Sequence, residues 1–295
     1  MNAIEFVNVT KKRPDFSVNG LNLSIPTEFV TGIIGQNGSG KTTTLHMLMD
    51  IIKPDHGQIQ IFGQPHNDHS LKQKIGFVHD QLYMYQDFTI KKMKAFIAPL
   101  YETWNDNLFQ HYLMLFELPY KKKLKTFSQG MKMKCGLLFA LAHEPDLIIM
   151  DEPTSGLDPV FRRELLDLFQ ELMLETGKTI VLASHITSDL DRIADYIIFM
   201  HEGQVLLNRS MNDIDEFFHI VKGPADMVDA DTKELFAGLE ITDVGFTALY
   251  EGQPDTFEPY REEVIIEKAS LEDIMYFLIK KPLKGGKSNA FTHQA

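Results

Sequence analysis

Alternation of apolar and polar positions in "AIEFVNVT" (3–10) and "LNLSI" (21–25) predicts two half-buried strands, and the mostly apolar "EFVTGIIG" (28–35) predicts a buried one that ends in glycines. "KTTTLHMLMDII" (41–52) then shows helical spacing, and "GQIQIFG" (57–63) and "KIGFVHD" (74–80) return to strands. Residues 83–143 have no strand pattern but three helical stretches, around 91–101, 105–116 and 131–142, and read as a helical insert. Strands resume at "DLIIMDE" (146–152) and "TIVLASH" (179–185), separated by a helix that Pro159 can open and Gly177 can close. "YIIFMHEGQVLLN" (196–208) predicts a hairpin turning at 201–203.

Strands alternating with helices imply an α/β domain with a largely parallel sheet over residues 1–209. A smaller α+β accessory domain follows over 210–283. In it, Ser270 with Asp273 caps a helix on which Leu271, Ile274, Met275 and Leu278 share one face. Residues 284–295 lack periodicity and read as a disordered tail. No internal repeat is present, so each chain carries one copy of whatever site the first domain builds.

Charge changes this picture in one place. The 295 residues carry a formal −12, and residues 224–273 hold fourteen acids against Lys233, Arg261 and Lys268, a net −11. The acidity therefore belongs to the accessory domain, and the balance argues against nucleic-acid binding. The longest apolar runs, such as 147–150 and 196–200, are strand-sized, far below the roughly 20 residues of a membrane helix. With one cysteine and no leader-like N-terminus, a cytosolic chain without disulfides is expected.

The chemistry starts at "GQNGSGKT", which fits G-x-x-x-x-G-K-[ST] at Gly35, Gly40, Lys41 and Thr42, directly after a buried strand and before a helix. Glycines let backbone N–H groups turn around phosphate oxygens, and the helix adds the positive end of its dipole. Lys41 is expected on the β- and γ-phosphates and Thr42 on Mg²⁺. "LIIMDEP" sets Asp151 and Glu152 at a strand end, where an open α/β sheet presents its ligands: Asp151 suits the metal and Glu152 an attacking water. "VLASH" ends another buried strand in Ser184 and His185, whose imidazole suits a γ-phosphate or the water, although most strand-end histidines are structural.

Taken together these segments resemble the ATP-binding subunit of an ABC transporter. "GQNGSGKTT" looks like its Walker A, "LIIMDEP" its Walker B, "SGLD" (155–158) its D-loop, "SH" (184–185) its switch histidine, and "FSQGMKMK" (127–134) falls at its signature. The likeness covers residues 4–208 and implies a P-loop NTPase core with ATP and Mg²⁺ as cofactors. It implies nucleotide contacts from Gly35, Asn37, Gly38, Ser39, Gly40, Lys41, Thr42 and Thr43. It also implies that Ser128 and Gly130 complete the site of a second subunit, that Asp158 contacts nucleotide, and that Glu152 and His185 are catalytic. Three departures stand out. The signature reads F-S-Q-G-M instead of L-S-G-G-Q. Asp80 takes the Q-loop position, with Thr42 and Asp151 as the other metal residues. A lysine replaces the aromatic that stacks on adenine, leaving Phe16 as a nearby substitute.

The ending "EEVIIEKASLEDIMYFL" (262–278) resembles bacterial ATPases of ABC-2-type exporters of antimicrobial or amphipathic peptides. That implies a separate membrane permease, a homodimer or a heterodimer with a second ATPase, and a place on the cytoplasmic face of the membrane. The alternative is a soluble ABC ATPase without a transport role. Such proteins carry two nucleotide domains or long coiled coils, and this chain has neither pattern.

Overall fold

The computed structural model describes residues 1–14, 16–81 and 83–280, so the expected tail at 284–295 lies outside the described residues. The chain divides into two compact units, Met1–Met211 and a second beginning at Asn212.

The first unit opens with β1 (Asn2–Lys12), β2 (Ser17–Pro26), β3 (Val30–Ile34) and α1 (Lys41–Leu48). Then come β4 (His56–Ile61), β5 (Gln64–Pro65), β6 (Ile75–Val78), α2 (Ile90–Ile97), α3 (Asp106–Leu115) and α4 (Gln129–Leu141). It closes with β7 (Leu147–Asp151), α5 (Pro159–Thr176), β8 (Thr179–Ser184), α6 (Thr187–Ile193), β9 (Tyr196–His201) and β10 (Gln204–Ser210).

Two sheets result. β2-β1-β4-β5 is antiparallel, and β10-β9-β3-β8-β7-β6 is parallel except for its edge strand β10. The central strands β3, β7 and β8 are buried at every position, as their unbroken apolar runs predict for a sheet covered on both faces. One hydrophobic core joins the two sheets through Ile4, Phe6 and Ile25 of the first, Ile33, Ile149 and Val181 of the second, and Leu45 and Leu48 of α1. Register aligns the C-terminal ends of the parallel strands: Ile34 lies beside Ser184, Asp151 beside Ala183 and Val78 beside Met150. The loops leaving β3, β6, β7 and β8 therefore emerge along one edge, where doubly wound sheets bind ligands.

Helix ends depart from the sequence pattern in two places. Apolar spacing extends α1 to residue 52, but the helix stops at Leu48: Asp50 takes a positive φ of 57°, and the N–H groups of Ile51 and Ile52 both turn back to the His46 carbonyl. The stretch 91–101 breaks after Ile97 into a 3₁₀ turn at Ala98–Leu100, since Pro99 has no N–H for an α-helical bond.

The second unit begins one residue into α7 (Met211–Phe217) and contains β11 (Phe218–Gly223), α8 (Ala230–Leu235), β12 (Phe236–Thr242), β13 (Gly245–Glu251), β14 (Ile265–Lys268) and α9 (Leu271–Lys280). Its antiparallel sheet runs β12-β13-β11-β14. The expected cap forms, with the Asp273 N–H donating to Ser270 Oγ and the Ser270 N–H and hydroxyl donating to Asp273 Oδ2. The buried face of α9 is Leu271, Ile274 and Phe277, while Met275 and Leu278 are half-buried; Phe277 packs where Gly238 leaves no side chain on β12.

Candidate functional site

The loop between β3 and α1 is shaped by close approaches that only glycine permits. A Cβ at Gly35 would lie 2.3 Å from the Met200 carbonyl oxygen, and Gly40, at φ 108°, caps α1 with no side-chain hydrogen bond. The free N–H groups of the first turn of α1 are thus left for a ligand. Asn37 and Gly38 form the exposed crest, Gly38 at φ 84°; Ser39 is buried with its hydroxyl unpartnered, and Thr42 and Thr43 follow with Thr42 exposed.

Lys41 is 5% exposed, and its ammonium is held from three sides. Nζ donates to the Gly35 carbonyl at 2.7 Å and the Gln36 carbonyl at 3.4 Å, and lies 3.4 Å from Glu152 Oε1. Glu152 sits just past β7 at φ 50°, pinned by its N–H to the Ala183 carbonyl (2.8 Å). Its other carboxylate oxygen accepts from His185 Nδ1 at 2.7 Å and from the His185 N–H at 3.3 Å. Lys41, Glu152 and His185 thus form one chain of charge-assisted contacts across three strand ends.

Asp151 is 1% exposed, and its Oδ1 has no hydrogen-bond partner. Burial pushes its carboxyl above the usual carboxylate range; the Thr42 hydroxyl, which donates to it, opposes that rise, and the charges of Asp80 and Glu152 reinforce it. An orphan buried carboxylate oxygen beside a threonine hydroxyl and a second aspartate is the donor set a magnesium ion takes, with remaining positions for phosphate and water. Among the described residues no group of three or more His, Cys, Asp or Glu could hold a metal unaided. Thr42, Asp151 and Asp80, the residues expected at the metal, fit a site that needs the nucleotide's oxygens.

This uncompensated charge makes a checkable statement about stability. A buried carboxyl with a raised pKa weakens the fold when ionised, a penalty fully present above its folded pKa and lost as pH falls toward the ordinary 3.8. Asp151→Asn is therefore expected to raise the melting temperature of the nucleotide-free protein by a few degrees at pH 7, with the gain shrinking on acidification. Melting curves across pH test this, and an unchanged or lower midpoint at pH 7 refutes it.

Other predicted residues are not gathered at this loop. Ser128 is the exposed N-cap of α4, its Oγ accepting from the Met131 N–H at 3.2 Å, and Gly130 follows in the first turn. Asp158 caps α5, accepting from the N–H groups of Val160 (3.1 Å) and Phe161 (3.0 Å). These residues neighbour one another instead: a Cβ at Gly130 would sit 3.6 Å from Phe161, and one at Gly156 4.0 Å from Gln129. The Lys134 ammonium lies 4.2 Å from the centre of the Phe161 ring. Phe16 does reach the loop, since a Cβ at Gly40 would fall 2.7 Å from its Cζ.

The sequence reading missed a ring ladder behind Asp80. His46 on α1 lies 6.0 Å from His79 between ring centres, and His79 contacts Phe77 (4.2 Å) and the exposed Tyr83 (4.9 Å) edge to face. Burial and His46 hold the His79 imidazole below its ordinary range, with Asp80 opposing. The four-residue step from Thr42 to His46, which sets both on one helical face, is the signal that was available.

Comparison with known proteins supplies the family. Residues 18–155 match the family model described as ABC transporter. A bacitracin transport ATP-binding protein of Bacillus licheniformis is 36% identical over 64% of this chain and 63% of its own length, so the chain spans less than two thirds of that relative. The Enterococcus faecalis protein of the same description is 34% identical over 72% of this chain and 70% of its own. A lantibiotic transport ATP-binding protein of Streptococcus pyogenes is 30% identical over 68% and 89%. Among solved structures, a dimeric post-hydrolysis state of an ATP-binding cassette bound to ADP and Pi superposes with a TM-score of 0.63 at 26% identity, covering 70% of this chain and 98% of that one. The chain belongs to the ABC transporter family.

Proposed function

We propose that this ABC ATPase closes as a dimer on MgATP and powers export through a separate membrane permease, working peripherally at the cytoplasmic face of the membrane. The observation that carries the dimer is the position of Ser128 and Gly130. They are displayed at the start of α4 with their hydrogen bonds directed into their own helix, while Lys41, Thr42, Asp151, Glu152 and His185 converge on the phosphate loop. A second chain would offer its signature turn, and Asp158 beside it, to this loop. The partner is either an identical chain or a second ABC ATPase.

Roles follow from the contacts. The loop's N–H groups and Lys41 would hold the phosphates. Thr42, Asp151 and Asp80 would hold magnesium, which when bound supplies neutralisation of phosphate charge. Glu152, oriented by His185, would take the proton of the attacking water. Phe16, at the loop's edge, would stack on adenine. Among the described residues no helix is long and apolar enough to cross a membrane. The names of the relatives, bacitracin transport and lantibiotic transport ATP-binding proteins, support a transport role with a cargo of that kind. Residues 1–209 would then be the nucleotide domain, with 83–143 its helical subdomain, and 210–283 an accessory domain.

ATPase rate per chain measured against protein concentration, alone and with the co-purified membrane partner, tests the proposal. A rate that rises with concentration and is stimulated by the partner is expected. A concentration-independent rate with no stimulation would instead indicate a soluble ATPase without a transport role.

A further inference from the structure

The second unit holds a hollow of about 370 Å³, within the roughly 300–1,000 Å³ typical of small-molecule sites. We propose that it binds a small organic cation, a protonated amine on a short apolar body.

Sheet register decides which side chains face it. His219 on β11 pairs with Lys268 on β14 and Tyr250 on β13, and two residues further along Val221 pairs with Ile266, so all five share one face of the sheet. A 3₁₀ turn, Pro254–Tyr260, covers that face: Phe257 packs edge to face on Tyr250 with ring centres 4.8 Å apart, and the hydroxyls of Tyr250 and Thr256 are 2.7 Å apart. The hollow lies between this turn and strands β11 and β14. His219 lines it at 9% exposure, and its Nδ1 is buried without a hydrogen-bond partner. Such a nitrogen, left alone, costs free energy that a ligand or an ordered water would recover.

Charge selects the ligand. Both cations of the lining are already engaged, Arg261 with Glu258 at 2.9 Å and Lys268 with Asp215 at 2.5 Å. Of the three carboxylates, Glu258 is held by Arg261, and Glu267 by Lys222 at 2.6 Å. Asp255, at the start of the covering turn, has no hydrogen bond or ion pair among the described residues. The uncommitted polar groups are thus an acceptor-only carboxylate and one imidazole nitrogen. An ammonium donates to both, whereas an anion would have to break an existing pair and sit within a segment of net −11. A metal ion is disfavoured by the lack of three convergent ligands among the described residues. Pro254, Val264 and Ile266 supply an apolar wall for a short hydrocarbon body.

Calorimetric titration of the full chain with n-butylammonium chloride at pH 7.5, against sodium chloride and sodium butyrate at matched ionic strength, tests the proposal. One saturable site at low-millimolar concentration is expected, with no butyrate response. Asp255 is exposed, so Asp255→Asn should fold normally and weaken binding about tenfold, the loss of one charge-assisted hydrogen bond. His219→Phe, checked for folding by circular dichroism, should weaken it as well. Heats no larger than those of sodium chloride would overturn the proposal, as would tighter binding of butyrate. So would affinity unaltered in Asp255→Asn.

Discussion

Lys41→Ala is expected to weaken ATP binding by about a hundredfold, the free-energy equivalent of losing one or two charge-assisted hydrogen bonds in a largely buried setting. The ammonium sits at 5% exposure on the Gly35 carbonyl, already at the centre of the loop that would surround the phosphates. It therefore has only to exchange its 3.4 Å contacts with Gln36 and Glu152 for phosphate oxygens, without a long side-chain rearrangement. That pre-positioning is why the loss falls on affinity instead of on the rate alone. Removing the cation also leaves Glu152 paired only with His185, so a modest drop in the melting temperature of the nucleotide-free protein should accompany the change. Equilibrium dialysis with ATP, without and with magnesium, reads the affinity directly. Affinity equal to wild type in both conditions would withdraw Lys41 from the phosphate site. A loss seen only with magnesium would shift its role toward the metal-bound state.

Much of this was legible before any coordinates. The buried strands β3, β7 and β8 announced themselves as unbroken apolar runs, and the loop after β3 as glycines with a lysine at fixed spacing. Both signals are local, because backbone geometry and the solvent on either face of a strand act within a few residues. What stayed hidden depends on residues far apart in the chain. The Lys41–Glu152 contact joins positions on separate strand ends, and nothing in "SGKTT" or "MDEPT" records that the two side chains meet. Asp80 could be matched to a metal position only by resemblance, whereas its influence on Asp151 follows from the parallel pairing of β6 with β7. The early end of α1 departs from the pattern for the opposite reason. Apolar residues at 49, 51 and 52 continue the helical spacing, yet only Met49 and Ile52 pack, from a turn that folds back onto His46, and Ile51 is exposed. His219 gave no signal at all, since one histidine in an alternating strand is ordinary until register sets it under an acidic turn.

Glu152→Gln should separate binding from turnover more sharply than any other change: ATP affinity retained or raised, and hydrolysis reduced by about two to three orders of magnitude, the usual worth of a positioned general base. The substitution keeps shape, so the backbone at φ 50° meets no new strain, and the amide oxygen can still accept from His185 Nδ1. What disappears is the negative charge that now faces the Lys41 ammonium at 3.4 Å. In the nucleotide-free chain that charge competes with phosphate for Lys41, so neutralising it favours the nucleotide-bound state. In the bound state the same carboxylate would accept the proton of the attacking water, which the amide cannot do. Binding thus survives while hydrolysis stalls, and a dimer that opens only after hydrolysis should accumulate. Size-exclusion chromatography with ATP and magnesium, run beside a phosphate-release assay, reads both consequences. Turnover within about threefold of wild type, below the range a general base supplies, would remove Glu152 from the base role. Stalled turnover without dimer accumulation would keep that role and instead sever hydrolysis from the opening of a composite site, so the two measurements together distinguish the chemistry at β7 from the assembly around it.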